Sequence, residues 1–179
     1  MYACAKFPGR VHDSAVFSSS SLYGDLHTGV VWHGVQGAFR PCLLVDSAYP
    51  LLPFTMKRFN TARNAGSARQ KAFDKALGRG RNPIERAWGR LVARWHICDA
   101  LPPKELSGVP GIIVACMVLH NYCELFDPMV IEGDEDDLEE VTREGVLEAA
   151  NEDVPAAWLA AGRAQRDAVA DWLVEHRNQ

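Results

Sequence analysis

CLLVDSAYPLLP, residues 42–53, sets one carboxylate, Asp46, between two apolar runs. The first run is continuous, bounded by Pro41 and by the turn after Asp46, which predicts a strand over 41–46 buried on both faces. Pro50 and Pro53 break the second run, so 49–56 reads as an irregular apolar loop. An unpaired buried charge is costly. Asp46 is therefore either paired or carried to a place where negative charge is wanted.

Downstream the apolar period changes to that of a helix. SARQKAFDKALGRGR (67–81) and NPIERAWGRLVARWHI (82–97) read as two helices or one interrupted helix, with Asn82 capping the second piece and Pro83 in its first turn. Ile84, Trp88, Leu91 and Trp95 recur at helical spacing and predict a stripe facing the core. Arg86, Arg90 and Arg94 recur on another side. Glu85 lies beside the stripe, with Gly89 one turn later leaving room. GIIVACMVLHNYCELF (111–126) predicts a second buried helix, entered after Pro110.

Upstream, the Ser18–Ser21 run offers helix N-caps before SLYGDL. Residues 1–8 read as the end of a strand or a ragged start. EGDEDDLEEVTREG (132–145) has few apolar anchors, as expected of a mobile acidic segment. An amphipathic helix over about Val154 to His176 closes the chain and can dock Trp158, Leu159, Ala168 and Trp172. The domain reading is therefore 1–125, an acidic segment 126–153, and a terminal helix 154–179.

At 179 residues, 47% apolar and 9% aromatic, the composition is that of one globular domain with a core. No stretch reaches the ~20 uninterrupted apolar residues of a membrane helix, and the N-terminus lacks the pattern of a signal peptide. Five scattered cysteines inside apolar runs favour reduced thiols over a disulfide framework, and no CxxC pair suggests zinc. The net charge of −4 hides a division: Lys57 to Arg94 holds eleven Lys and Arg against two acids, while Glu124 onward holds sixteen acids against four Arg. A basic middle and an acidic tail suggest an anionic partner for the former, or two segments facing each other or solvent.

Two carboxylates stand out by position: Asp46 at a strand end and Glu85 near a helix start. Carboxylates from two such elements suit a hard divalent cation, since Mg2+ takes oxygen ligands and is commonly held by one or two carboxylates. The plainer alternative is that Asp46 caps its own turn and Glu85 pairs with Arg81 or Arg86. Spacing alone leaves both open.

Four blocks occur in order: GRVHDSAVFSSSSL (9–22), LLVDSAYPLLPF (43–54), FDKALGRGRNPIERAWGRLVARWHI (73–97) and IIVACMVLHNYCE (112–124). Together they resemble the DDE endonuclease domain of PIF/Harbinger transposases and the nucleases derived from them, over about Phe7 to Glu124. The resemblance implies an α/β, partial RNase H-like fold: a mixed sheet lacking its first strands, with a largely helical C-terminal half. It implies an Asp-Asp-Glu set binding Mg2+ or Mn2+, in which VDSAYP gives Asp46 the role of second Asp and IERAWGRLV gives Glu85 that of final Glu.

No block here matches the family's first catalytic Asp, so the resemblance implies a truncated domain with weak or absent cleavage. Asp13, in HDS, is the remaining acid that could approach the metal. Its family role, like that of His12, is rather structural, and His120 and Asn121 are expected to satisfy buried polar groups. Ala48, Val45 and Pro83 depart from the family's usual residues.

Lys71, Lys75, Arg79, Arg81, Arg86, Arg90 and Arg94 are the implied contacts to the DNA backbone. The alternative is a catalytically dead, domesticated fragment that binds DNA or a Myb/SANT-like protein. The resemblance and the basic segment imply a nuclear location, with the cytoplasm as the alternative. A sheet missing its first strands would expose an edge, met by homo-oligomerisation or by residues 1–8.

Overall fold

The computed structural model describes residues 7, 10–33, 37–59, 66–100, 107–127 and 154–176. The chain divides into two compact units. One, the sheet-bearing unit, comprises Arg10–Arg81 and Glu139–Gln179; the other, the helical unit, comprises Met1–Gly9 and Asn82–Leu138. The strand end expected over 1–8 falls, apart from Phe7, outside the described residues, as does the acidic segment from 128 to 153.

In the sheet-bearing unit, α1 (Asp13–Ser18) and α2 (Ser21–Thr28) precede a parallel pair of strands, β1 (Leu43–Leu44) and β2 (Thr55–Met56). Ser20 caps α2, as the serine run implied: its hydroxyl accepts from the Tyr23 amide at 3.2 Å. Gly29 ends α2 with φ of 79°, the left-handed conformation that glycine adopts without strain.

The strand expected over 41–46 is shorter than predicted and is not covered on both faces. Val45 is buried, but Leu44 is 40% exposed. Its partner strand comes from the segment expected to be a loop. Leu51, Leu52, Phe54, Thr55 and Met56 form the most buried stretch among the described residues. Two prolines masked a strand of only two residues, whose carbonyls are what β1 needs: the Leu43 amide donates to Phe54 and the Val45 amide to Met56, each at 2.9 Å. Thr55 is tolerated inside because its hydroxyl is fully used, accepting from the Leu52 amide at 2.8 Å and donating to the Pro50 carbonyl at 2.7 Å.

One apolar cluster gathers Phe17, Leu26, Leu52 and Phe54, with Trp158 packed on it. A second gathers Met56, Phe73, Leu77 and Ala170. Both draw on α5 (Ala156–Glu175), so the terminal helix completes this core. Its inward face differs from the expectation. Gly162 and Ala170 are buried, whereas Ala168 and Trp172 are exposed and Trp172 stacks on His176. Gly162 is where α5 meets the chain most closely, since a Cβ there would lie 2.8 Å from the Leu51 carbonyl oxygen.

Residues 68–94 form one uninterrupted helix, α3 (Ala68–Arg94). Ser67 and Gln70 build a reciprocal cap at its start, with the Gln70 amide donating to the Ser67 hydroxyl and the Ser67 amide to the Gln70 side chain. Asn82 is therefore not an N-cap; it is buried inside the helix, and Pro83 follows it there. Proline removes one amide from the helical ladder, and the division between the two units falls beside it, between Arg81 and Asn82.

In the helical unit the second half of α3 packs with α4 (Val109–Phe126), entered through Pro110. Arg90 donates to Glu124 at 2.9 Å, and Arg94 to the Asp127 carbonyl at 2.7 Å. The expected apolar stripe is only half covered: Leu91 is buried, but Ile84 is 65% and Trp88 50% exposed. The helix expected to be buried is mostly exposed too, with only Cys116 and His120 inside. Apolar spacing identifies a face but does not supply a partner for it, and exposed apolar side chains are common. At 18 residues and mean hydropathy 1.5, α4 is also long and apolar enough to cross a membrane by length and composition.

Candidate functional site

Asp46 follows the last rung of the strand pair. Its Oδ1 accepts from the Ala48 amide at 2.8 Å, and its carbonyl from the Tyr49 amide at 3.4 Å. An Asp whose side chain caps the amide two residues on favours a tight turn. One carboxylate oxygen thus holds the turn, and the same bond fixes how the carboxylate is presented. The two readings left open by spacing are compatible at this residue.

Lys57 lies just beyond β2 and is 7% exposed. Its Nζ donates to the Tyr49 carbonyl at 2.7 Å and to the Ser47 carbonyl at 3.3 Å. Burial pulls its pKa below the ordinary lysine value, the nearby Arg166 charge pulls the same way, and Asp46 opposes them. Tyr49 is its mirror case. Burial pushes the Tyr49 hydroxyl above its ordinary value, the Asp13 and Asp46 charges push it further, and Arg81 opposes. Tyr49 therefore stays protonated at neutral pH and keeps a hydrogen to donate.

The Asp13 and Asp46 charges thus act on this hydroxyl in one sense and Arg81 in the other. The local cause for Asp13 is the helical repeat. Phe17 is buried edge-on against the Tyr49 ring at 5.5 Å, and Asp13, one turn earlier on the same face of α1, comes to the same place. Arg81 arrives on α3, which lies so close to β1 that a Cβ at Gly80 would collide with Leu44.

Glu85 lies in the helical unit, half-buried on α3, one turn after Arg81 and one turn before Gly89. No atom approaches within 4 Å of where a Gly89 side chain would begin, so that glycine does leave room. His12 precedes α1 as its N-cap residue without a side-chain cap bond, and Asp13 opens the helix. His120 is buried with its Nδ1 4.0 Å from Glu124, whereas Asn121 is exposed.

Among the described residues no group of three or more His, Cys, Asp or Glu side chains is arranged to hold a metal ion. Of the carboxylates on the sheet-bearing unit, the two that the resemblance put forward are Asp13 and Asp46. Hard oxygen donors in that number fit a hydrated Mg2+ or Mn2+, which keeps several of its waters, and do not fit an ion caged wholly by protein.

The basic residues divide by environment. Lys71, Lys75 and Arg79 are exposed and four apart, which places them in a row along α3. Arg81 and Arg86 are half-buried. Arg90 and Arg94 are engaged by Glu124 and Asp127 in the helical unit.

Sequence reasoning passed over Lys57 and Tyr49. A lysine directly after an apolar segment was legible only as the first charge of the basic middle. Nothing local marks it as buried, because its burial depends on a strand pairing hidden by prolines.

The sequence matches a family model described as DDE superfamily endonuclease over residues 1–121. No curated protein and no solved structure matches the chain.

Proposed function

Because the chain belongs to the DDE superfamily endonucleases, we propose that it is a PIF/Harbinger-type nuclease domain acting on DNA phosphodiester bonds with Mg2+ or Mn2+. The carrying observation is the end of β1, where one oxygen of the Asp46 carboxylate is held by the Ala48 amide at 2.8 Å. Nuclease families of this kind imply DNA as substrate and generally use divalent metals.

Asp46 and Asp13 would hold the cation, and the resemblance of IERAWGRLV to the family's last block assigns Glu85 to the same work. When bound, the ion supplies a water of lowered pKa and stabilises charge on phosphate oxygens. This chain's own groups do the rest. The Asp46 turn fixes one carboxylate, the protonated Tyr49 offers a donor beside it, and Lys71, Lys75 and Arg79 bind backbone phosphates. No block of this chain matches the family's first catalytic Asp, so cleavage by this chain alone is weak or absent.

Calorimetry with Mn2+ and a plasmid-nicking assay test this reading. Asp46→Asn is expected to weaken Mn2+ binding at least about tenfold and to abolish nicking. Binding indifferent to Asp46→Asn and Glu85→Gln together would sink it.

The exposed row on α3 favours a second reading, a nuclear DNA-binding module without catalysis, working with a Myb/SANT-like partner or as a homo-oligomer. Under that reading, salt-sensitive DNA binding persists in Asp46→Asn, and the wild type neither binds Mn2+ nor nicks DNA.

A further inference from the structure

We propose that Lys57 is a positioning residue for Asp46: its buried ammonium ties the two carbonyls of the turn that presents the carboxylate. The part of this that concerns metal rests on the function proposed above.

Lysine is rarely fully buried without a charged partner. Lys57 is 7% exposed, and the donors seen on its Nζ go to backbone carbonyls at Ser47 and Tyr49. Strand register explains the reach. Leu44 pairs with Met56, so Lys57 stands one step past the last pair, and the Val45 amide bonds Met56 beside it. From there the side chain extends past Asp46 to both carbonyls that follow it. The turn at 46–49 is thereby held to β2 at a second level, beyond the end of the ladder. A two-residue strand pair alone gives weak support, since such ladders are marginal by themselves. The tether compensates for that at the residue that would meet the ion.

Lys57→Met and Lys57→Gln in the full chain separate tethering from charge. Both remove the same positive charge, while only glutamine keeps a donor. Amide exchange followed by NMR reads the Ala48 hydrogen that bonds Asp46. Calorimetry with Mn2+ reads the carboxylate.

In Lys57→Met the Ala48 amide is expected to exchange about tenfold faster and Mn2+ to bind about tenfold more weakly, the cost of roughly one hydrogen bond. Lys57→Gln should recover most of both. Equal behaviour of the two variants, or tighter Mn2+ binding in both through lost repulsion, overturns the proposal. If Lys57→Met does not fold, the wild type decides: its Ala48 and Tyr49 amides must be protected, and unprotected amides overturn the tether. A wild type that binds no Mn2+ defeats the proposed function, while the exchange result still settles Lys57.

Discussion

Burial acts on Asp74 much as it does on Tyr49. The carboxylate is half-buried near α5 and accepts from the Phe59 amide at 3.0 Å. Burial pushes its pKa above the ordinary 3.8, while that hydrogen bond and the Arg58 and Arg166 charges pull it down without prevailing. The guanidinium of Arg166 meanwhile stacks over the Phe59 ring at 4.0 Å. A raised carboxyl means that the folded state binds its proton more tightly than the unfolded state. This group's stabilising contribution is therefore complete below pH 3.8 and is lost as pH rises through the raised folded value. Asp74→Asn keeps an acceptor for the Phe59 amide and removes the titration. Urea unfolding across the acidic range should show the advantage of wild type over Asp74→Asn shrinking as pH rises; a widening gap would contradict the assignment.

Among the elements, α5 carries the tightest packing constraint. Gly162 is buried against backbone atoms of Leu51 and Leu52, which cannot swing aside as a side-chain end would. A branched side chain there must push α5 away from the strand segment. Gly162→Val should cost about 1–3 kcal/mol, the usual range for overpacking, read as a lower urea midpoint at an unchanged slope. An unaltered midpoint would mean that α5 does not lie on Leu51. The other long helix, α3, shows how a local signal can mislead. Asn-Pro is a good helix start, yet the Ser67–Gln70 cap began the helix fifteen residues earlier and the chain continued through the proline. Helical packing on both sides outweighs one missing hydrogen bond.

For the whole molecule, charge matters more than shape. Lys71, Lys75 and Arg79 form an exposed basic row on α3. Each phosphate contact releases counterions, so affinity falls with salt in proportion to the contacts made. Replacing all three by Ala should lower the slope of log affinity against log salt by about 2–3, at up to ~0.9 per contact. Fluorescence anisotropy on duplex DNA measures this, and an unchanged slope would remove the row from the interface. Arg69 makes a useful control: it is already engaged by Asp167 and Asp171 of α5.

The sequence by itself determined the DDE superfamily, a helix start within the serine run, the helical segments and the identity of Asp46 as a carboxylate ending a strand. Those features are local: a cap, a period or a motif is complete within a few residues. Only the tertiary structure decided that the proline-broken run 51–57 is buried in the sheet-bearing unit and that Lys57 reaches the Ser47 and Tyr49 carbonyls. It likewise left Ile84 and Trp88 exposed where their spacing promised a core. Each of these depends on what lies across from a residue rather than beside it. Burial, and the pKa shifts that follow from it, are set by residues distant in the chain.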